Sequence, residues 1–266
     1  LFWALMSPMV RYEVWKKVKR AINQASINQQ DLCQVPIPYC SLVEQRSIVA
    51  RIKECMERVK EIEGNTTSID NELSALFPAM LNEKFSGLAK DVHIECLEDV
   101  ADIMGGGSLP KGSAHDTGKD TVLLVKVGDM NAPGNERTIQ VSRAYLPWTK
   151  VGNKFVKSGA VIFPKRGGAI ATNKKRILGR PALIDPNLMA VIAKAGKVIS
   201  EYLYYWTQTF DLTDISNGGV IPQLNRKDLA PLKIPVPNLK LQELIVSELE
   251  QSEAFCFELR TLFDGA

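Results

Sequence analysis

Ile27–Ile52, INQQDLCQVPIPYCSLVEQRSIVARI, returns near the far end of the chain as Leu224–Leu249, LNRKDLAPLKIPVPNLKLQELIVSEL. The offset is a constant 197 residues without a gap, so that Asn28, Asp31, Leu32, Ile37 and Pro38 meet Asn225, Asp228, Leu229, Ile234 and Pro235. Leu42, Gln45, Ile48 and Val49 then meet Leu239, Gln242, Ile245 and Val246. Nine identities in 26 positions, with Ile/Leu, Val/Leu and Ile/Leu exchanges at 27, 35 and 52, make this an internal repeat. The chain holds one full period and part of a second.

Each copy turns the chain and starts a helix. In Val35-Pro-Ile-Pro38 two prolines fix extended backbone and exclude helix. Ser41 then suits an N-cap, and Glu44 three residues on completes a capping box. Leu42, Gln45, Ile48 or Val49, Ile52, Cys55 or Met56, Val59 and Ile62 follow at spacings of three and four, with Glu and Arg/Lys on the other face. Gly64-Asn65-Thr66-Thr67 is a dip in that stripe, after which Ile69, Leu73, Leu76, Met80 and Phe85 resume it. Ser86-Gly87 reads as its C-terminal stop. A helix of about 45 residues would be about 65 to 70 Å long at 1.5 Å per residue, too long for one small domain to bury. The second copy repeats the stripe through Leu249, Ala254, Cys256 and Leu259 until the sequence ends at 266. Either stripe alone fits an amphipathic helix lying on its own domain. Two of one kind predict pairing as an antiparallel coiled coil. Asn28 and Asn225, each with an Asp three residues on, are expected to cap or brace the junction.

Composition is that of a globular protein, with 45% apolar and 24% charged residues in 266. Five cysteines, odd in number and never CxxC, disfavour a disulfide framework or a zinc site and fit a reduced, cytoplasmic setting. The opening LFWALMSPMV is too short to span a bilayer and lacks the flank and cleavage site of a signal peptide. With no initiator Met, the chain reads as part of something longer. Net charge is only +3, but residues 98–240 carry 20 Lys and Arg against 12 Asp and Glu. Residues 41–86 carry 6 against 8, and residues 241–266 carry 1 against 6. A basic block between two acidic helices invites a polyanion, although a moderately basic domain is often simply a soluble one.

The basic block, about Leu97 to Lys240, opens on Leu97-Glu-Asp-Val100 and a turn-rich loop around Gly105-Gly-Gly107. Strands are predicted over 121–127, 138–142, 160–163, 169–171, 180–184 and 188–193, with a helix over 199–210. Residues 1–26 read as one or two helical turns closing a preceding unit. No nucleotide loop, metalloprotease helix, kinase or hydrolase motif occurs, and the two histidines, His93 and His115, lie in different segments. No cofactor and no metal is expected. The positive signal is Phe163–Arg180, where Lys165, Arg166, Lys174, Lys175, Arg176 and Arg180 gather with Asn173 and flexible glycines on a predicted β-hairpin or loop. Lys and Arg neutralise phosphates, while Arg to guanine and Asn to adenine are the bidentate pairs of the major groove. A solvated hairpin tip with charges for solubility would read the same way. Lys126, Lys154, Arg226 and Lys227 are weaker candidates of the same kind, and each also fits ordinary surface.

Repeat, helix and basic block together resemble the specificity subunit of type I restriction-modification systems. The resemblance is carried, in order, by LVEQRSIVARI leading to LNEKFSG, LEDVADIMGGGSLPKG, VLLVKVGDMN, VKSGAVIFPKRGGAIA and ISNGGVIPQLNRKDLAPLKIPVPNLKLQELIVSEL. It implies an α/β (α+β) fold, a β-rich target-recognition domain flanked by long helices that pair as an antiparallel coiled coil. Residues 1–40 would be the tail of a first target-recognition domain, 41–86 a central spacer helix, 87–240 a second recognition domain and 241–266 the start of a distal helix. It also implies a non-catalytic reader of double-stranded DNA, docked to methyltransferase subunits and, through the complex, to a restriction subunit, with no membrane partner. By the 197-residue offset, about 100 residues of the first domain are missing from this pattern. Fragment and half-length subunit both fit; the latter would have to self-associate through the long helices to recover two half-sites. A specificity region of a fused restriction-methyltransferase, and a helical scaffold whose basic domain binds no DNA, remain the alternatives.

Overall fold

The computed structural model describes residues 1–21, 24–113, 115, 118–219 and 221–264; the last two positions of the predicted distal helix lie outside them. The chain divides into two compact units, Leu1–Ile69 and Asp70–Ala266.

The first unit carries α1 (Phe2–Met6), α2 (Pro8–Lys17), the antiparallel strands β1 (Lys19–Ala21) and β2 (Gln24–Ser26), and α3 (Gln29–Cys33). Asn28 caps α3 by accepting from the Asp31 N–H at 2.7 Å. After the extended proline run, α4 (Leu42–Asp91) begins. Ser41 Oγ accepts from the Glu44 N–H at 3.3 Å, and the Glu44 carboxylate accepts from the Ser41 N–H at 2.9 Å. The expected capping box is therefore formed.

The helix runs through both places where the sequence weakens it. At 64–67 a single glycine costs about 1 kcal/mol relative to Ala, too little to break a helix continued on both sides. Thr67 there turns its hydroxyl back to the Glu63 carbonyl at 2.9 Å. At Ser86-Gly87 the predicted stop is overridden by packing. Leu81 and Phe85 are buried, and Leu88, one residue past the glycine, still packs on the same core.

The second unit contains the rest of α4 and then β3 (Ile94–Cys96), α5 (Leu97–Val100), β4 (Ala101–Gly105), β5 (Thr121–Val125), β6 (Thr138–Ile139) and β7 (Tyr145–Pro147). β8 (Val161–Pro164), β9 (Arg176–Leu178), β10 (Ala182–Ile184), β11 (Leu188–Ala193), α6 (Ser200–Thr207), α7 (Arg226–Leu229), β12 (Lys233–Pro235) and α8 (Leu239–Asp264) complete it. The strands predicted around 121, 160, 180 and 188 are present. The one predicted over 169–171 is not: Gly167–Thr172 is a 3-10 helix, entered at a glycine with φ of 69° and left at Asn173 with φ of 49°.

The main sheet has the order β4-β11-β8-β9-β6 and is covered on both faces. Val161, Phe163, Ile177, Met189 and Val191 point into a core shared with Leu81 and Phe85 of α4, Tyr202 and Tyr205 of α6, and Ile245 and Leu249 of α8. Their alternate neighbours Ile162, Leu178, Leu188 and Ala190 point to the other side, against Leu123, Val125 and Ile184 of a second sheet ordered β10-β5-β7. Period-two alternation with both sets apolar is what a doubly covered sheet requires. Within this unit α4 and α8 run antiparallel: Lys84 pairs with Glu248, and Asp70 with Arg260 at 2.8 Å, so one residue number rises as the other falls. Among the described residues, no helix is long and apolar enough to cross a membrane.

Candidate nucleic-acid interface

Strand directions decide which loops share an end of the main sheet. β4 and β8 finish where β11 and β9 begin, since Gly105 pairs with Met189, Pro164 with Leu188 and Ile162 with Arg176. The second sheet finishes beside them, because the Asp185 N–H donates to the Val125 carbonyl at 3.0 Å. Loops distant in sequence therefore meet: the Gly105–Pro110 segment, Lys126 with the residues after it, the Lys165–Lys174 turn and the Asp185–Asn187 link.

Hydrogen bonds knit this end together. Gly106 and Gly107 donate to the Leu188 and Ile184 carbonyls at 2.9 and 3.0 Å. The triple glycine read from sequence as a turn is thus a close crossing, and a Cβ on Gly106 would stand 1.9 Å from the Asp185 carbonyl oxygen. Beside it a cavity of about 920 Å3 is lined by Met104, Leu109, Leu146, Ile184, Lys150 and Lys154. Lys165 donates its N–H to the Asn187 carbonyl at 2.8 Å, and its ammonium lies over Gly105. The segment before the second repeat closes on the same turn, with Gly167 N–H to Pro222 O at 2.8 Å and Leu224 N–H to Lys165 O at 2.9 Å. Asn217 and Gln223 brace that segment through an N–H to carbonyl bond of 3.1 Å and a return bond to the Asn217 side chain of 2.8 Å. Asn217-Gly-Gly219 carries an ordinary turn signal, but its pairing with Arg166 through Gln223 is a tertiary fact with no local signal.

The sequence candidates separate into two groups. Arg166 is exposed and Lys165 half-buried, and among the described residues neither has a carboxylate or other side-chain partner. Lys126 and Lys154 are exposed on neighbouring segments, and Arg226 and Lys227 open α7 directly after Leu224. Lys174 is half-buried and reaches the Asn131 side chain.

The others have partners within the fold. Lys175 is 1% exposed, its ammonium donating to Asn173 Oδ1 at 2.8 Å and to the Phe210 carbonyl. Burial pushes it down to about 8, with Asp211 nearby opposing the shift. Asn173 is spent in the same contacts, also accepting from the Leu212 N–H at 3.0 Å. Arg176 is half-buried, donates to the Lys175 carbonyl at 2.9 Å, and is lowered by burial. Arg180 sits past the far end of β9, donating to the Gly118 carbonyl at 2.6 Å and the Thr121 hydroxyl at 3.1 Å, with its guanidinium 5.8 Å from the Tyr145 ring. Asn173, Lys175 and Arg180 thus have donors and acceptors engaged within the fold, unlike Lys165 and Arg166. Asn225 and Asp228 form the predicted brace, with the Asp228 carboxylate accepting from the Asn225 N–H at 2.8 Å.

What the arrangement offers is a sheet end rich in cations and glycines, rigidly tied. Among the described residues, no group of three or more His, Cys, Asp or Glu is placed to hold a metal.

Comparison with known proteins bears on this geometry. The family model for the type I restriction modification DNA specificity domain matches residues 89–261. The specificity subunit of the type I restriction enzyme MjaIX from Methanocaldococcus jannaschii is 28% identical over 173 residues, 61% of this chain and 38% of that subunit. A chain from a structure addressing complex assembly and conformational transition of the type I R-M system has a TM-score of 0.70 at 20% identity, over 97% of this chain and 64% of that one. The HsdS subunit from Thermoanaerobacter tengcongensis gives 0.58 at 20% identity, over 98% of this chain and 63% of its own. The chain spans less than two thirds of the length of each of these relatives. At 20% identity the two structures establish the shared fold alone. The family model, matching more than half of the sequence and including every strand from β3 to β12, establishes more: this chain belongs to the type I restriction modification DNA specificity domain family.

Proposed function

We propose that the chain is the DNA-reading part of a type I restriction-modification specificity subunit, binding one half of a split duplex target with the loop end of its main sheet and carrying out no chemistry itself. The observation that carries this reading is the pair Lys165 and Arg166, cations without a side-chain partner among the described residues, on a glycine-rich turn held from two sides. Lys126, Lys154, Lys174, Arg226 and Lys227 surround them and extend the positive surface along the phosphates. In this scheme Lys and Arg contacts supply affinity and register, and exposed backbone and side chains of the turn supply sequence discrimination. The outer parts of α4 and α8 serve as spacer and as the surface for methyltransferase subunits, through which a restriction subunit joins the complex.

Binding to random-sequence duplex by fluorescence anisotropy tests this. Affinity should fall steeply between about 50 and 200 mM salt, as counterion release demands. Replacing Lys165→Glu and Arg166→Glu together should weaken binding at least about tenfold and lower the salt slope by one to two. No binding at any salt would sink the reading, and an unchanged slope in the double variant would put the contact surface elsewhere. Methylation of DNA by the chain alone with a methyl donor would instead favour the fused enzyme.

A further inference from the structure

A fully buried lysine is a costly thing to place beneath a surface turn. Moving an ammonium out of water carries a penalty of several kcal/mol unless it is paired, and Lys175 makes no ion pair among the described residues. The neighbouring carboxylate, Asp211, is engaged with the Thr213 N–H and hydroxyl, each at 2.7 Å. What Lys175 does make are bonds to Asn173 Oδ1 and the Phe210 carbonyl, with its ammonium 4.9 Å from the centre of the Phe210 ring. Asn173 in turn holds a left-handed backbone and accepts from Leu212. These contacts fasten the C-terminal end of the Gly167–Thr172 turn to residues 210–212, just beyond α6.

The N-terminal end of the same turn is fastened by Gly167 to Pro222 and by Lys165 to Leu224. Its middle is anchored by Ile170, which is fully buried. Between these three pins Gly168, Ala171 and Thr172 remain exposed, next to the free Arg166. A turn pinned so thoroughly and yet exposing small residues is built to present its surface in one pose, and preorganisation is what converts charge attraction into sequence discrimination.

We infer that Asn173 and Lys175 are positioning residues for sequence reading: they latch the Gly167–Thr172 turn so that its exposed face meets base edges while Lys165 and Arg166 hold phosphates. This rests on the DNA-reading proposal above. The latch contributes to discrimination between sequences, not to the electrostatic affinity shared by all of them.

The test uses the full chain and two variants. Asn173→Gly keeps the left-handed backbone accessible while deleting the Oδ1 acceptor. Lys175→Met keeps the stem and removes the charge. Three measurements are made on each folded variant: hydrogen exchange of amides 167–174, affinity and salt slope on random-sequence duplex, and enrichment of sequences from a random duplex pool. The expected result for Asn173→Gly is turn exchange at least tenfold faster, an unchanged salt slope, and enrichment reduced at least tenfold. Should Lys175→Met fail to fold, Asn173→Gly alone decides. Unchanged exchange removes the latch. Faster exchange with full enrichment reduces it to packing, and a salt slope lowered by about one makes Lys175 a phosphate contact instead. If the unmodified chain enriches no sequence at all, the DNA-reading proposal fails and this inference with it. The exchange measurement still reports separately whether the latch exists.

Discussion

Lys175 shows how far a residue's chemistry departs from its letter. In sequence it is the middle of a three-cation run, the ordinary signature of an exposed basic face; in the fold it is the member turned inward. Burial holds its ammonium at about 8, below the usual lysine value near 10.4. The folded chain therefore binds this proton less tightly than the unfolded one. Below pH 8 both states are protonated and the burial penalty is fully present. Between pH 8 and about 10.4 the unfolded state carries more protons, so this site's contribution to stability rises with pH. The full difference is roughly 3 kcal/mol, of which about 2 kcal/mol should be realised by pH 9.5. Urea unfolding of the unmodified chain and of Lys175→Met from pH 7 to 9.5 should show the gap moving by about that amount in favour of the lysine. Tyr202 and Tyr205, both pushed up by burial, titrate alike in the two proteins and cancel. A gap independent of pH would mean that the ammonium is not held in this desolvated site.

At the scale of elements the repeat supplies its own control. Gln45 donates to the Cys40 carbonyl and Gln242 to the Pro237 carbonyl, both at 2.8 Å, and the two pairs are related by the same 197 residues. Each glutamine staples the turn after the proline run to the first turn of its helix. Only Gln242 is fully buried, and it makes two further bonds, to the Ile199 N–H and the Lys197 carbonyl, each at 2.9 Å. Removing one partner of a buried bond leaves the other group unsatisfied, at about 1 to 3 kcal/mol each. Gln242→Leu should accordingly lower the unfolding free energy of the second unit by about 3 kcal/mol or more, whereas Gln45→Leu, half-exposed, should cost less than about 1.5 kcal/mol. Equal costs in chemical denaturation would show that the repeated bond, and not its surroundings, sets the energy. Such elements were legible because their signals are local: the Ser41–Glu44 box, the stripe of α4, and the apolar runs that became β5, β8 and β11. The turn at 167–172 was not. Ala169-Ile170-Ala171 looks like a short strand, and only two positive φ angles and the burial of Ile170 make it helical. The same limit applied to the site. Sequence grouped the cations around Lys165, but which of them face out depends on Phe210, Leu212 and Pro222, tens of residues away.

For the molecule as a whole, the two units divide the long helix differently from the sequence pattern. Read as a spacer, the helix would end where the recognition domain begins; in the structure the compact second unit begins at Asp70, and the last turns of α4 belong to its core. Phe85 packs 5.3 Å from Tyr202 and Phe77 6.1 Å from Tyr205, ring centre to ring centre, and Leu81 is 2% exposed. Burying a Leu or Phe side chain is worth about 1.5 to 3 kcal/mol, so Leu81 and Phe85 alone supply roughly 3 to 6 kcal/mol. That is comparable with the whole stability of a typical domain, about 5 to 15 kcal/mol. A fragment starting at Asp70 should therefore unfold cooperatively in urea with the midpoint of the second unit in the full chain, and should bind random duplex with the same salt slope. A fragment starting at Val92 keeps every strand of the second unit but loses this helix, along with the Lys84–Glu248 and Asp70–Arg260 pairs. It should be destabilised by at least about 3 kcal/mol. If the Val92 fragment proved as stable as the Asp70 fragment, the last turns of α4 would be a spacer lying on the second unit, and its sheets would hold their pose without them.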